Sequence, residues 1–197
     1  MAPANPTHIA FIVSFPFVMA HYGGVEFGNA MTIILITGGA RSGKSVRAES
    51  RARAFAGKPV YLATSEAGDA EMSERIAIHR ARRGKDWLER ECPLELVAAL
   101  AETDGAGARL VDCLTLWLSN LLLAERDWAE ETTRLADTLL SQNSPVVLVT
   151  NEVGLGIVPD NALARRFRDA AGIMNQRIAR VADEVEFVVA GLPMRVK

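Results

Sequence analysis

"GGARSGKS", Gly38 to Ser45, brings glycines, a lysine and a hydroxyl together within eight residues and fits the G-x-x-x-x-G-K-[ST] phosphate loop. Glycines at Gly38, Gly39 and Gly43 let the main chain close around phosphates. The N–H groups of Ala40, Arg41, Ser42 and their neighbours, with the N-terminus of the following helix, then face the anion. Lys44 is placed to reach the β- and γ-phosphates, and Ser45 to offer a hydroxyl to Mg²⁺. Such a loop needs a carboxylate at the end of another strand to hold the metal through water. Asp112, closing "RLVDC", stands where that residue is required. The competing reading is an aspartate capping the helix that starts near Leu114.

A second concentration of chemistry is "RIAIHRARR", residues 75 to 83. On a helix Arg75, His79, Arg82 and Arg83 fall at i, i+4, i+7 and i+8 and share one face. Glu71 lies one turn before Arg75, and Met72 and Ile76 supply the inward side. Close arginines keep an imidazole neutral and nucleophilic near pH 7 and stabilise phosphate charge during transfer. A neutral imidazole can attack phosphorus directly. A solvated basic face that happens to carry a histidine explains the same pattern.

These groups are carried by short β-branched runs alternating with amphipathic stretches, the pattern of an α/β domain. Strands are expected over 32–37, 59–64, 108–113, 145–151 and 184–191. Helices are expected over 45–56, 71–83, 93–103, 115–124, 128–141 and 161–182. The loop therefore follows a buried strand and opens a helix, the context the motif requires. In the last helix Asp160 or Asn161 is the expected N-cap, and Leu163, Phe167, Ala170, Ala171, Met174 and Ile178 keep helical spacing. Glu152, Arg165, Arg168, Asp169, Asn175 and Gln176 either line a substrate pocket beyond the strand ends or form a surface network. Thr115 and Asn120 are further candidates for substrate contact.

Composition narrows the function classes. The 197 residues, 49% hydrophobic and 23% charged, suit one domain with a full core. A formal net charge of −2 argues against a nucleic-acid partner. Two distant cysteines, Cys92 and Cys113, make neither a disulfide framework nor a zinc site and suit a reducing cytoplasm. Asn151 is followed by Glu152 and by no N-K-x-D, which counts against a regulatory GTPase. Residues 1–30 carry a single charge, Glu26, and are expected to be an extension upstream of a nucleotide-binding domain over 31–197. The apolar run Ile9–Ala20 lacks a preceding Lys or Arg and is short of the ~20 residues of a bilayer span; an export signal or membrane anchor is the alternative. His79 is then the only histidine of the domain, because His8 and His21 lie in the extension.

Four segments together, "ITGGARSGKS", "YLATSEAGDAEMSERIAIHRARRGKDW", "VDCLTLWLSNLL" and "VTNEVGLGIVPDNALARRFRDAAGIMNQRIARVADEVEFVVAGLP", resemble the bifunctional adenosylcobinamide kinase / adenosylcobinamide-phosphate guanylyltransferase family of cobalamin synthesis. The resemblance is collinear from Thr32 to Lys197. It implies a P-loop, RecA-like, mainly parallel sheet flanked by helices, and a homotrimer. It implies phosphorylation of adenosylcobinamide from ATP or GTP. It also implies guanylylation of His79 by GTP and passage of GMP to adenosylcobinamide phosphate, giving adenosylcobinamide-GDP. The resemblance further assigns Ala63, Thr64 and Ser65, Arg80, Ala81, Arg82 and Arg83, and Glu91 to the guanine nucleotide. Gly84 departs from the proline the family often has there, and is expected to loosen the helix end. A plain small-molecule P-loop kinase would leave His79 idle, and a nucleotide-dependent regulatory protein would bind GTP without consuming it.

Overall fold

Residues 31–65, 74, 77, 78, 80, 81 and 83–197 are described by the computed structural model. They run β1 (Ile33–Gly38), α1 (Lys44–Arg53), β2 (Val60–Ala63), β3 (Leu88–Glu91), α2 (Leu96–Glu102), β4 (Arg109–Asp112), α3 (Leu114–Leu123), α4 (Trp128–Leu140), β5 (Val146–Val149), α5 (Ala162–Val181), β6 (Glu184–Val189) and β7 (Leu192–Arg195). Between β2 and β3, Glu74, Ala77, Ile78, Arg80, Ala81 and Arg83 are helical. His79, Arg75, Arg82, Glu71, Met72, Ile76 and the extension 1–30 lie outside the described residues.

One sheet of order β3-β2-β4-β5-β1-β6-β7 forms the centre. Its strands are parallel except β7, which runs antiparallel to β6. β1 and β5 read as unbroken apolar runs because both faces are covered, the condition of a parallel sheet. Alternate residues serve the two faces. Ile33, Leu35, Val146 and Leu148 pack with the buried sides of α2, α3, α4 and α5, whereas Ile34, Ile36, Val147 and Val149 pack with Ala48 and Ala52 of α1. Trp117, fully buried in α3, donates its indole N–H to the Leu94 carbonyl at 2.9 Å, so its large apolar surface is buried without an orphaned donor.

The five expected strands and the P-loop α/β class are present, with two edge strands added. β3, "LERE", exposes every side chain, and β7, "LPMR", does the same; neither has the apolar alternation that marks a strand in sequence. Asn161 caps α5, its Oδ1 accepting from the Ala164 N–H at 2.7 Å. Ala170, Ala171, Met174 and Ile178 are buried as their spacing requires, but Leu163 is 63% exposed. It stands in the first turn of α5, beside the largely exposed stretch 154–161. Gly84 takes φ 71° and its N–H bonds the Arg80 carbonyl at 3.3 Å. The glycine therefore closes the helical stretch in the left-handed conformation helices commonly end on.

Arg109, fully buried at the start of β4, donates to Asp104 Oδ1 at 2.8 Å and to Gln142 Oε1 at 2.7 Å. Asp104 also accepts from the N–H groups of Asn143 and Ser144. The cluster joins the turns that enter β4 and β5. Burial alone would raise the Asp104 carboxyl, but hydrogen bonds from Asn143, followed by Arg109, outweigh it and bring it down from 3.8 to about 2. A carboxyl depressed in the folded state contributes stability that is complete above its unfolded value and lost as pH falls through the folded one. Acid unfolding of the wild type is therefore expected to steepen between about pH 4 and pH 2, and Asp104→Asn to remove that component while lowering stability at pH 7. Unchanged acid profiles in the two proteins would show that the cluster adds nothing.

Candidate active site

The carboxyl ends of β1, β2, β4 and β5 share one edge of the sheet, where open α/β sheets bind ligands. β1 ends at Gly38 and α1 begins at Lys44. Gly43 carries the turn at φ 96°, a conformation glycine adopts without a Cβ penalty. A Cβ at Gly38 would stand 2.5 Å from the Val188 carbonyl oxygen, and one at Gly43 would stand 3.1 Å from the Gly191 Cα. The β6–β7 turn therefore rests on the loop, and the Gly191 N–H donates to the Ser42 carbonyl at 2.8 Å. α1 has no acidic residue in its first turn and no side-chain cap, so its positive end has no built-in anion. Ser42 Oγ is buried with no hydrogen-bond partner among the described residues. Lys44 Nζ folds back to the Gly39 carbonyl at 3.0 Å.

Asp112 ends β4, which lies two strands from β1 with β5 between them. The N-cap of α3 is Cys113, and it makes no side-chain capping bond; Asp112 precedes it and accepts from the Tyr61 hydroxyl at 2.9 Å through Oδ2. The capping reading of Asp112 therefore falls. Thr64 is fully buried; its Oγ1 accepts from the Cys113 N–H and donates to the Cys113 carbonyl, both at 2.8 Å. Asn120 Nδ2 donates to the carbonyls of Thr64 and Pro93, so Asn120 frames the Ala63–Ser65 turn. Thr115 Oγ1 accepts the Asn151 N–H at 2.7 Å, and Thr150 Oγ1 donates to Asn175 Oδ1 at 2.7 Å. Arg165 bonds the Pro159 and Asp160 carbonyls, and Arg168 pairs with Asp169. Of the candidates Glu152, Arg165, Arg168, Asp169 and Asn175, Glu152 bonds the loop. Its N–H donates to the Gly38 carbonyl at 3.1 Å, and it lines a cavity of about 460 Å³ with Gly39, Arg41, Ser42, Phe187 and Val189.

At the other side of Asp112, Arg80 Nε pairs with Glu89 Oε2 at 2.9 Å, and Arg80 Nη2 comes within 3.8 Å of Glu91. Arg83 is 3% exposed and pairs with Glu89 Oε1 at 2.8 Å. Burial alone would raise Glu89, but Arg83, then Arg80, hold its carboxyl below the usual range. Ala81 is exposed. Burial pushes the Cys92 thiol up to about 12, and burial with Asp112 beside it takes Cys113 to about 11, so neither is a thiolate nucleophile at neutral pH.

A family model described as cobinamide kinase / cobinamide phosphate guanyltransferase matches residues 34–196. The chain belongs to this family. Within the cobinamide kinase / cobinamide phosphate guanyltransferase family, the bifunctional adenosylcobalamin biosynthesis protein CobP of Pseudomonas aeruginosa is 50% identical over 167 residues, 83% of this chain and 96% of that protein. CobU of Salmonella typhimurium, with the same description, is 44% identical over 184 residues, 84% of this chain and 99% of that protein. Among solved structures, flagellar accessory protein FlaH from Methanocaldococcus jannaschii overlays with TM-score 0.49 at 13% identity, covering 84% of this chain and 78% of that one. The P4 protein from bacteriophage phi6 in complex with ADP overlays with TM-score 0.46 at 15% identity, covering 82% and 52%.

Tyr61 and Glu89 are the polar neighbours that sequence reasoning missed. Tyr61 sits inside an apolar strand and reads as core, and Glu89 belongs to a strand with no apolar signal. The donor set also bears on magnesium. No cluster of three or more His, Cys, Asp or Glu suited to a metal occurs among the described residues. One hydroxyl and one carboxylate, Ser45 and Asp112, are hard oxygen donors too few to cage a cation alone. They fit an ion that arrives with phosphates and keeps several waters.

Proposed function

We propose that the chain phosphorylates adenosylcobinamide with ATP or GTP and then transfers GMP from GTP to adenosylcobinamide phosphate through His79. The observation that carries the reading is the phosphate loop at the end of β1, faced across β5 by Asp112, in a chain whose family membership spans residues 34–196. In the kinase step the loop N–H groups of Gly39–Ser45 and the Lys44 ammonium hold the triphosphate, and the substrate hydroxyl oxygen displaces the nucleoside diphosphate from the γ-phosphorus. Ser45 and Asp112 would hold a Mg²⁺ ion arriving with the nucleotide, which would supply charge neutralisation of the phosphates. In the transfer step an imidazole nitrogen of His79 forms a bond to the α-phosphorus of GTP while the bond to the pyrophosphate oxygen breaks. The phosphate oxygen of adenosylcobinamide phosphate then displaces the histidine from phosphorus, giving adenosylcobinamide-GDP. Arg80, Arg82 and Arg83, with Glu91 and the Ala63–Ser65 turn, serve the guanine nucleotide in this reading, directly or by fixing the groups that touch it.

The assembly is read as a cytoplasmic homotrimer. Exposed Leu155, Ile157 and Val158, together with Leu192 and Met194 of β7, are apolar surface that subunit contact would cover. Among the described residues no helix is long and apolar enough to cross a membrane.

Two labels separate the reading from a plain kinase. With adenosylcobinamide as acceptor, label from the γ-phosphate of ATP or GTP is expected in adenosylcobinamide phosphate, and label from the α-phosphate of GTP in the GDP-linked product. Transfer of γ-label without α-label would leave a kinase alone, and binding without either would leave a regulatory protein.

A further inference from the structure

Tyr61 makes three contacts that converge on the site from different elements. Its hydroxyl donates to Asp112 Oδ2 at 2.9 Å. Its ring carries the Arg83 guanidinium, with Cζ 3.4 Å from the centroid. Its edge meets Trp87 at 6.2 Å and 88°. Arg83 is 3% exposed, and its Nε and Nη1 have no hydrogen-bond partner among the described residues. Its charge is therefore accommodated by Glu89 and by the tyrosine face, a contact that strengthens when desolvated. Arg53 adds a brace, donating to the Arg83 carbonyl at 2.8 Å while its guanidinium lies 5.2 Å from the Trp87 ring.

Register explains why this tyrosine reaches that carboxylate. β2 pairs with β4 so that Tyr61 stands beside Leu110 and Ala63 beside Asp112. Tyr61 and Asp112 are diagonal neighbours on one sheet face, a separation a long aromatic side chain can span. A buried phenol needs some acceptor; here the acceptor is the carboxylate at the end of β4.

We propose that Tyr61 is a positioning residue, fixing the Asp112 carboxylate with its hydroxyl and the Arg83 end of the nucleophile-bearing segment with its ring. The proposal rests on the metal role given to Asp112 above. Arg83 follows His79 by four residues in sequence, and the ring side of the proposal rests on the role given to His79 above. The hydroxyl side predicts an effect on metal-linked nucleotide binding, and the ring side an effect on guanylylation.

The test uses Tyr61→Phe, which keeps ring, stack and packing, beside Asp112→Asn and the double variant. Affinity for a GTP analogue with a methylene between the α- and β-phosphorus is measured by calorimetry with Mg²⁺ and with EDTA. Tyr61→Phe is expected to bind as wild type in EDTA and to lose about 10-fold or more of the tightening that Mg²⁺ confers, the scale of one hydrogen bond to a charged group. In the Asp112→Asn background it is expected to have no further effect, because it acts through that carboxylate. A merely structural role would lower the melting temperature and leave the ratio of the two affinities unchanged. If Asp112→Asn reduces the tightening and Tyr61→Phe does not, the positioning role fails and the metal role stands. If Asp112→Asn leaves the tightening intact, both fail together. For the ring side, Tyr61→Leu is expected to lower the rate of α-label incorporation at least 10-fold, with wild-type analogue affinity in EDTA showing an intact loop. Wild-type labelling in Tyr61→Leu would overturn that half.

Discussion

His79→Ala is expected to abolish incorporation of α-phosphate label from GTP into the protein, by about 10³-fold or more, the scale on which removing a covalent nucleophile acts. Between residues 31 and 197 there is no other histidine. The two cysteines are buried thiols pushed up to about 12 and about 11, and Lys44 is committed to the loop. Wild-type label should be acid-labile and alkali-stable, as a phosphorus–nitrogen bond requires. The kinase half-reaction should persist within a few-fold, because Lys44 and Ser45 open α1 and Asp112 ends β4, elements separate in sequence from the stretch that carries His79. Label that survives in His79→Ala would remove the histidine from the mechanism. Loss of both activities together, with normal folding, would mean that His79 also serves the phosphate loop.

Lys44→Ala is expected to strike both half-reactions. In the proposed reading the ammonium meets the phosphates, and transfer develops negative charge on the phosphoryl oxygens. Removing one such fixed group costs about 10²- to 10³-fold in rate, or about 2.7–4 kcal/mol. Its Nζ donates to the Gly39 carbonyl, and thermal unfolding of Lys44→Ala separates a loss of folding from a loss of catalysis. Lys44→Arg should not restore activity, since a planar guanidinium cannot take the place of a compact ammonium in a loop closed around phosphates. Steady-state kinetics of γ-phosphate transfer and single-turnover α-labelling measure the two effects separately. Near wild-type rates in either assay would show that this step does not use the loop lysine.

The strand order gives these two predictions their geometry. β5 stands between the loop strand β1 and the Asp112 strand β4, and the pairing Asp112 to Val149 and Val149 to Ile36 brings the ends of all three to one edge. Glu152 and the β6–β7 turn then close the loop from the other side, through the Gly38 carbonyl and through Gly191.

What could be read from the chain alone is what depends on neighbours in sequence. The phosphate loop is contiguous, and its glycines, lysine and serine act through local backbone geometry, so eight residues carry the whole signal. The apolar runs of β1, β2 and β5 record burial on both faces, and Asn161 marks the start of α5 by a bond three residues long. Tertiary structure alone decided the rest. β3 and β7 are strands because a neighbouring strand offers them backbone partners, and edge strands with exposed side chains leave no periodic apolar trace. The bond between Tyr61 and Asp112 spans 51 residues of chain and that between Thr64 and Cys113 spans 49. The stacking of Arg83 on Tyr61 likewise needs β2, β3 and β4 to be adjacent. Such contacts follow from which strands pair and in what register, a choice made by the free energy of the whole core and written in no single segment.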